Sequence, residues 1–130
     1  MKIITFGTFD LFHIGHLNML NRCKERGDEL IVGVSSDKLN YAKKQRYPVY
    51  KEEDRMDIVK NIKSVDHVFL EESLELKPEY IKKFNADIFI IGNDWEGKFD
   101  DLNTICKVIY LPRTENISTT NIITTIKDFL

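Results

Sequence analysis

The sequence predicts an α/β fold: a single Rossmann-like domain over residues 1–130, with a five-stranded parallel sheet in strand order 3-2-1-4-5 and helices on both faces. Two observations lead to this prediction. Short runs of β-branched and other apolar residues alternate along the chain with segments in which apolar residues recur at helical spacing. Such alternation favours a parallel sheet joined by crossover helices, in which ligands bind beyond the carboxyl ends of the strands.

Five apolar runs are predicted to be strands, most of them buried on both faces. In chain order they span residues 2–6, 30–35, 67–70, 87–91 and 107–111. Four helices are predicted from apolar residues at helical spacing. They contain Leu17, Leu20 and Cys23, then Met56, Val59 and Ile62, then Ile81 and Phe84, and finally Ile122, Ile126 and Phe129. Candidate functional residues follow every strand except the third, which ends in Glu71, Glu72 and Ser73 without a comparable signal.

Residues 40–50 are predicted to form a mobile excursion after the second strand. Lys43, Lys44 and Arg46 lie in it, in a protein whose formal net charge is −2. These charges could belong to a solvated loop with no further role. Three of them beside a predicted phosphate pocket instead favour ligand binding, with the loop closing over the ligand.

The composition excludes several classes of protein. The 130 residues are 42% hydrophobic and 31% charged, which suffices for the core of one compact domain. A net charge of −2 gives no overall basic field for nucleic acid or an anionic membrane, so any phosphate binding must be local. Cys23 and Cys106 are too few for a disulfide scaffold, and no apolar stretch has the length of a signal peptide or a membrane span. We therefore expect a cytoplasmic protein with no membrane insertion.

The first strand is followed by two histidines at the start of a helix. His13 and His16 are three residues apart and so share one helix face, with Gly15 between them. A helix N-terminus offers free N–H groups and a partial positive charge, to which the imidazoles add donors. The arrangement suits closely packed phosphates and therefore predicts nucleotidyl transfer, in which the acceptor phosphate is already ionised and needs no general base.

Two other interpretations of the histidines stay open. They could be ordinary polar residues at a helix start. They could also ligate a metal, but zinc sites usually need further His, Cys or carboxylate ligands, and only Asp10 is nearby in the sequence.

A second anion site is predicted where the last strand gives way to the last helix. Ser118 or Thr119 is suited to cap that helix, and Arg113 offers a planar fork for phosphate oxygens. The hydroxyls and free N–H groups could hold the β- and γ-phosphates of a nucleotide. The alternative is a plain helix cap beside a surface arginine.

Both segments resemble known signatures. Gly7-Thr8-Phe9-Asp10 followed by His13-Ile14-Gly15-His16 resembles the His-x-Gly-His signature of the nucleotidyltransferase superfamily. Residues 113–120 resemble the Arg-Thr-Glu-Gly-Ile-Ser-Thr-Thr signature of cytidylyltransferases, and the likeness, which spans nearly the whole chain, is greatest to the members that act on glycerol 3-phosphate in teichoic-acid synthesis. The chain is thereby identified as a single cytidylyltransferase domain, residues 1–130.

The resemblance implies a reaction. The acceptor phosphate would attack the α-phosphate of CTP in line, giving CDP-glycerol and pyrophosphate from glycerol 3-phosphate. Phosphoethanolamine, phosphocholine or a pentitol phosphate could replace that acceptor, adenylyl transfer from ATP is a second possibility, and a nucleotide-binding module without catalysis is a third. The resemblance further implies a homodimer and a divalent ion, Mg²⁺, bridged through the CTP phosphates with no protein ligand.

The resemblance also assigns site residues. The catalytic residues would be His13, His16, Arg113 and Lys43. The substrate-binding residues would be Thr8, Phe9, Asp10, Lys44, Arg55, Lys63, Lys77, Gly92, Asp94, Thr114, Ile117, Ser118 and Thr119.

Three positions depart from the family pattern. Asn116 replaces the signature glycine, which is tolerable because asparagine adopts left-handed backbone angles more readily than other non-glycine residues. Asn93 replaces Asp or His, and Leu74 stands where a relative has tryptophan. Both departures concern which acceptor is bound, and neither concerns the nucleotide. Lys77 could pair with the acceptor's phosphate or be solvated at a helix start, and Trp95 is expected to be a packing anchor.

Overall fold

The computed structural model describes residues 1–130 and contains one five-stranded parallel sheet. The strands are β1 (Lys2–Gly7), β2 (Glu29–Ser35), β3 (His67–Glu71), β4 (Ile88–Gly92) and β5 (Lys107–Leu111). They lie in the order β3-β2-β1-β4-β5, and every neighbouring pair is parallel. The predicted sheet and its strand order are confirmed.

Helices cover both faces of the sheet, as predicted. They are α1 (Ile14–Lys24), α2 (Asp37–Lys44), α3 (Glu52–Lys60), α4 (Lys77–Lys83) and α5 (Thr119–Phe129). Successive residues of a strand point to opposite faces, so Ile3 packs with Leu20 of α1 and Val59 of α3, whereas Ile4 packs with Ile81 of α4. Both isoleucines of this central strand are fully buried. None of the helices has the length and apolar character required to cross a bilayer.

The segment predicted to be a mobile excursion is partly helical, and that prediction is corrected. Helix α2 covers Asp37–Lys44, capped by the Ser36 hydroxyl, which accepts a hydrogen bond from the N–H of Leu39. The backbone then turns at Gln45, whose φ is 59°. The helix escaped prediction because most of its residues are polar and exposed, and such a helix lacks the apolar periodicity on which the other predictions depend.

A cleft opens at the carboxyl edge of the sheet between β1 and β4. The ladder of β1 with β2 runs from Lys2 to Gly7, but the ladder with β4 joins only Ile3 to Ile88 and Ile4 to Phe89. The strand order also reverses at β1, because β2 lies on one side of it and β4 on the other. The fold thus places its ligand crevice at the topological switch point, as expected for open α/β sheets.

Candidate active site

A cavity of about 430 Å³ lies at this edge of the sheet. Most of the predicted site residues line it, and they come from five separate segments of the chain. They are Thr8, Phe9, Asp10, His13, His16, Lys43, Lys44, Lys77, Gly92, Asp94, Arg113, Thr114, Ile117, Ser118 and Thr119. Arg55 and Lys63 are not among them.

The two histidines form a capping box at the start of α1. Nδ1 of His13, the N-cap residue, accepts a hydrogen bond from the N–H of Gly15 at 3.0 Å, and Nδ1 of His16 accepts one from the N–H of His13 at 3.2 Å. Imidazoles therefore take the places that Ser or Thr and Glu usually hold in this motif. Because each Nδ1 is an acceptor, the proton of each neutral ring lies on Nε2, which remains a donor.

Both rings are neutral at pH 7 in the free protein. Burial, with the nearby His13 and Arg113 acting in the same direction, lowers the pKa of His16 to about 3. Burial, and then the Arg113 guanidinium, also lower the pKa of His13. The rings stack with their centroids 3.8 Å apart, an arrangement that two imidazolium cations would oppose. The start of α1 therefore offers hydrogen-bond donors without a permanent charge.

The starts of α1 and α5 face each other across the cavity. A Cβ at Gly15 would lie 2.8 Å from Cε1 of His13 and 3.3 Å from Cγ2 of Ile117, which precedes α5. The hydroxyl of Thr119, in the first turn of α5, donates to the carbonyl oxygen of Asp10 at 2.9 Å. The two segments predicted to bind anions therefore adjoin each other and line one cavity.

Ser118 caps α5 as predicted, since its hydroxyl accepts a hydrogen bond from the N–H of Asn121 at 3.0 Å. Asn116 has a φ of 63°, the left-handed angle that its comparison with glycine anticipated. Ser118, Thr119 and Thr120, which follow this turn, line the cavity, where an anion would meet the positive end of the helix dipole.

Arg113 and Asp94 meet at the open side of the cavity. Nη1 of Arg113 lies 3.4 Å from Oδ2 of Asp94, and both side chains are largely exposed. Gly92 permits this approach, because a Cβ there would lie 2.6 Å from Oδ1 of Asp94. The guanidinium is therefore held loosely and can turn toward a phosphate.

Arg55 holds the site together instead of lining it, which corrects its assignment as a substrate-binding residue. Its side chain is fully buried, and the guanidinium donates to the carbonyl oxygens of Thr8, Ser35 and Tyr50 and to the carboxylate of Asp37. These groups belong to the ends of β1 and β2, the start of α2 and the approach to α3. These four hydrogen bonds engage Nε, Nη1 and Nη2, and Arg55 is not among the residues that line the cavity.

Lys63 also lies away from the cavity. It is exposed in the turn between α3 and β3, at the edge of the sheet where strands begin, opposite the site. The cavity of this chain does not include Lys63, and its assignment to substrate binding stays a prediction.

Asp10 lines the cavity, but its carboxylate is engaged by the protein. The N–H groups of Val49 and Tyr50 donate to it at 2.7 and 2.9 Å, and that of Leu11 at 3.1 Å. Asp10 therefore fixes the loop that follows α2 to the first strand-helix junction.

Lysines line the opposite side of the cavity. Partial desolvation lowers the pKa of Lys43, with neighbouring Lys77 and Lys44 lowering it further against the opposing effect of Glu71. Lys77 is not solvated: its Nζ lies 2.5 Å from Oε2 of Glu71, and both side chains are buried. Burial raises the pKa of Glu71 and lowers that of Lys77, while each partner's charge opposes the shift.

Sequence reasoning missed Glu71, Ser35 and Asn40, all of which line the cavity. Asn40 accepts a hydrogen bond from the Thr8 hydroxyl at 2.8 Å. The signal was available, since Ser35 and Glu71 end adjacent strands at the carboxyl edge. Trp95 is half-buried against Phe99, with ring centroids 5.6 Å apart, in agreement with its predicted packing role, and it also lines the cavity.

Comparisons with known proteins give consistent results. The model of the family described as cytidylyltransferase-like matches residues 4–125. The chain is 49% identical over 121 residues to a glycerol-3-phosphate cytidylyltransferase of Bacillus subtilis (strain 168), covering 93% of each protein. It is 46% identical to the enzyme of that name from Staphylococcus aureus (strain NCTC 8325 / PS 47), covering 93% of this chain and 91% of the relative.

More distant similarities extend the comparison. The chain is 31% identical over 133 residues to an FAD synthase of Thermococcus onnurineus (strain NA1), covering 95% of this chain and 89% of that protein. Among solved structures, the lipopolysaccharide core biosynthesis protein of Thermoplasma volcanium GSS1 superimposes with a TM-score of 0.77. It is 24% identical and covers 88% of this chain and 98% of its own, which establishes a shared fold.

Proposed function

The chain belongs to the cytidylyltransferase-like family, and from this premise we propose that it transfers the cytidylyl group of CTP to glycerol 3-phosphate, giving CDP-glycerol and pyrophosphate. It is a nucleotidyltransferase. The observation that carries the assignment is the convergence of two helix beginnings, with His13, His16 and Arg113, on one cavity of about 430 Å³.

The site acts by positioning the phosphates and stabilising their charge. The free N–H groups at the start of α5 and the Arg113 guanidinium would hold the far end of the triphosphate. Nε2–H of His13 and of His16 would donate to oxygens on which charge builds as the bond to pyrophosphate breaks. A donor of this kind contributes on the order of 3–4 kcal/mol to the transition state.

No side chain is required to remove a proton from the acceptor. The second pKa of a phosphate monoester is near 6, so its attacking oxygen is ionised at pH 7. The histidines are also poorly suited to act as bases, because the Nδ1 of each already accepts a backbone N–H. Lys43, in the last turn of α2, would approach the triphosphate from the other side of the cavity.

We infer that Mg²⁺ enters with CTP, held mainly by its phosphate oxygens. The cavity fits this arrangement, because Mg²⁺ is commonly held by one or two carboxylates together with substrate phosphates. The Asp10 carboxylate is occupied by backbone N–H groups, which leaves Asp94 as the exposed carboxylate within reach. When bound, the ion would supply positive charge to the phosphate oxygens.

We further propose that the enzyme is a homodimer in the cytoplasm and that its CDP-glycerol serves teichoic-acid synthesis. These proposals depend on the family resemblance, and the two free cysteines, Cys23 and Cys106, are compatible with a reducing compartment. Sedimentation equilibrium at several protein concentrations tests the dimer.

The direct test is pyrophosphate release with CTP and each acceptor in turn. We expect turnover with glycerol 3-phosphate and CDP-glycerol as the product. Turnover with phosphocholine, phosphoethanolamine or a pentitol phosphate, and none with glycerol 3-phosphate, would show that the acceptor is that other compound.

A second candidate is adenylyl transfer, which the similarity to an FAD synthase favours. Identity of 46–50% to the glycerol-3-phosphate enzymes outweighs 31% identity to that relative. Replacing CTP with ATP in the same assay separates the two, and faster turnover with ATP would support the second candidate.

A further inference from the structure

A buried ion pair forms part of the cavity wall. Its two residues are far from the histidines in sequence. Glu71 is the last residue of β3, and Lys77 is the first residue of α4. Both line the cavity, although their side chains are only 2% and 3% exposed. Since Ser35 ends the adjacent strand opposite Glu71, the pair lies at the same carboxyl edge as the predicted phosphate site.

Two aromatic rings surround the ammonium of this pair. Nζ of Lys77 lies 4.6 Å from the ring centroid of Phe6 and 5.4 Å from that of Phe99. Both distances fall within the range of a cation–π interaction, about 6 Å. Aromatic rings closed by a carboxylate are the means by which proteins recognise ammonium ligands such as choline. In this protein the cation at that position is its own lysine.

We infer that Lys77 occupies the aromatic site that a cationic acceptor would need, and that Glu71 and Lys77 thereby restrict the acceptor to a phosphate whose alcohol carries hydroxyls and no positive charge. This inference rests on the proposed function, because it specifies the acceptor of that cytidylyl transfer. It assigns to Glu71 and Lys77 the choice between glycerol 3-phosphate and phosphocholine.

The charges around the pair support this selection. Lys43 lies close enough to interact with both Glu71 and Lys77, so two cations accompany one carboxylate at this side of the cavity. A third cation, on the acceptor, would be repelled. A polyol meets no such penalty, and a phosphate dianion is attracted.

Glu71 also retains hydrogen-bonding capacity for an acceptor hydroxyl. Its Oε2 accepts from Lys77, and Oε1 accepts no hydrogen bond within the protein. Glu71 lines the cavity, so a hydroxyl of a bound acceptor would be the hydrogen-bond partner that Oε1 lacks.

The test compares two acceptors in wild type and variants. Pyrophosphate release is measured with saturating CTP and either glycerol 3-phosphate or phosphocholine, and kcat and KM are determined for each. In Lys77→Ala the ammonium and the side chain that fills the aromatic site are both gone and the Glu71 carboxylate remains, so the choline cation can take their place. We expect the ratio of kcat/KM for phosphocholine to that for glycerol 3-phosphate to rise by about tenfold or more, with KM for CTP unchanged.

The double variant Glu71→Gln with Lys77→Ala is measured alongside, because the single variant leaves a buried carboxylate unpaired. The double variant also removes the cationic lysine. The ratio of kcat/KM for phosphocholine to that for glycerol 3-phosphate should rise less than in the single variant, since the side-chain amide introduced by Glu71→Gln attracts choline more weakly than a carboxylate does. Lys83→Ala is the matched control: it removes an exposed lysine near the Phe84 ring on the same helix, outside the cavity, and should leave the ratio unchanged.

An unchanged ratio in both Lys77 variants, with turnover of the two acceptors falling equally, would show a merely structural pair and overturn the inference. Wild-type turnover of phosphocholine equal to that of glycerol 3-phosphate would also overturn it, while leaving cytidylyl transfer intact. Wild type without turnover of any acceptor would overturn the proposed function as well.

Discussion

In His13 and His16 the two nitrogens of each imidazole ring have different roles. Nδ1 satisfies backbone N–H groups at the start of α1, and this fixes the proton on Nε2, where a phosphate can accept it. Burial keeps the rings neutral, with the pKa of His16 lowered to about 3. A triphosphate brought into the cavity would raise both pKa values, since a negative charge favours the imidazolium.

The neutral state of His16 predicts a pH dependence of stability. In the unfolded chain its pKa returns to about 6.5, so between pH 6.5 and about 3 the unfolded state binds a proton that the native state does not. Stability therefore falls as the pH drops through this window. Urea unfolding at a series of pH values should show a shallower decline for His16→Asn than for wild type, by at most about 1.4 kcal/mol per pH unit. Parallel curves for the two proteins would contradict the neutral buried ring.

At the scale of elements, the site depends on how closely the start of α1 approaches the start of α5. Gly15 allows this approach, because any side chain there would meet the His13 ring and Ile117. The caps therefore stabilise helix α1, and the absence of a Cβ at Gly15 lets its start approach α5. The geometry for phosphate binding is therefore more sensitive to substitution than the helix itself.

Gly15→Ala separates these two properties. The added Cβ would lie 2.8 Å from Cε1 of His13, the outer part of a side chain that can move. We expect kcat to fall by roughly 10²-fold because a displaced donor no longer meets the transition state, while the free energy of unfolding changes by less than about 1 kcal/mol. Steady-state kinetics and urea unfolding measure the two effects.

Gly97→Ala is the control for this experiment. Its φ of 84° disfavours alanine, and only Asp100 lies near, at 4.0 Å. We expect lower stability with little change in kcat. If Gly15→Ala behaved in the same way, the close approach at Gly15 would have no catalytic consequence.

The sequence allowed prediction of the sheet, its strand order and the two helix starts that meet at the cavity, because buried parallel strands leave apolar runs and helix caps leave local motifs. It did not reveal Arg55 or the Glu71–Lys77 pair in their actual roles. Arg55 is buried by groups that are distant in sequence, at Thr8, Ser35 and Asp37. Glu71 and Lys77 are close in sequence, but Lys77 also packs against Phe6 and Phe99, and nothing local marks those contacts. Helix α2 was missed for a related reason, since its polar exposed residues carry no apolar period.

At the scale of the whole molecule, Arg55 joins the elements that shape the cavity. Its guanidinium connects the ends of β1 and β2 with Asp37 at the start of α2 and with Tyr50 before α3. The ends of β1 and β2 also carry Thr8 and Ser35, which line the cavity. The shape of the site is therefore tied to the stability of the fold.

Arg55→Met should destabilise the protein by about 3–5 kcal/mol, because it strands buried carbonyl groups and the Asp37 carboxylate. Lysine should not restore the loss, since it cannot reproduce the guanidinium fork. Arg26→Met, at an exposed position, serves as the control and should change stability little. If Arg55→Met unfolded at the same urea concentration as wild type and only raised KM for CTP, Arg55 would be a substrate ligand after all.

Amide chemical shifts in ¹⁵N-labelled protein titrated with CTP show whether the two helix beginnings bind one triphosphate. We expect the amides of Gly15 and His16 at the start of α1 and those of Thr119 and Thr120 at the start of α5 to shift together, with one dissociation constant. Shifts at only one of these helix starts, or two separate dissociation constants, would contradict the binding of one triphosphate by both.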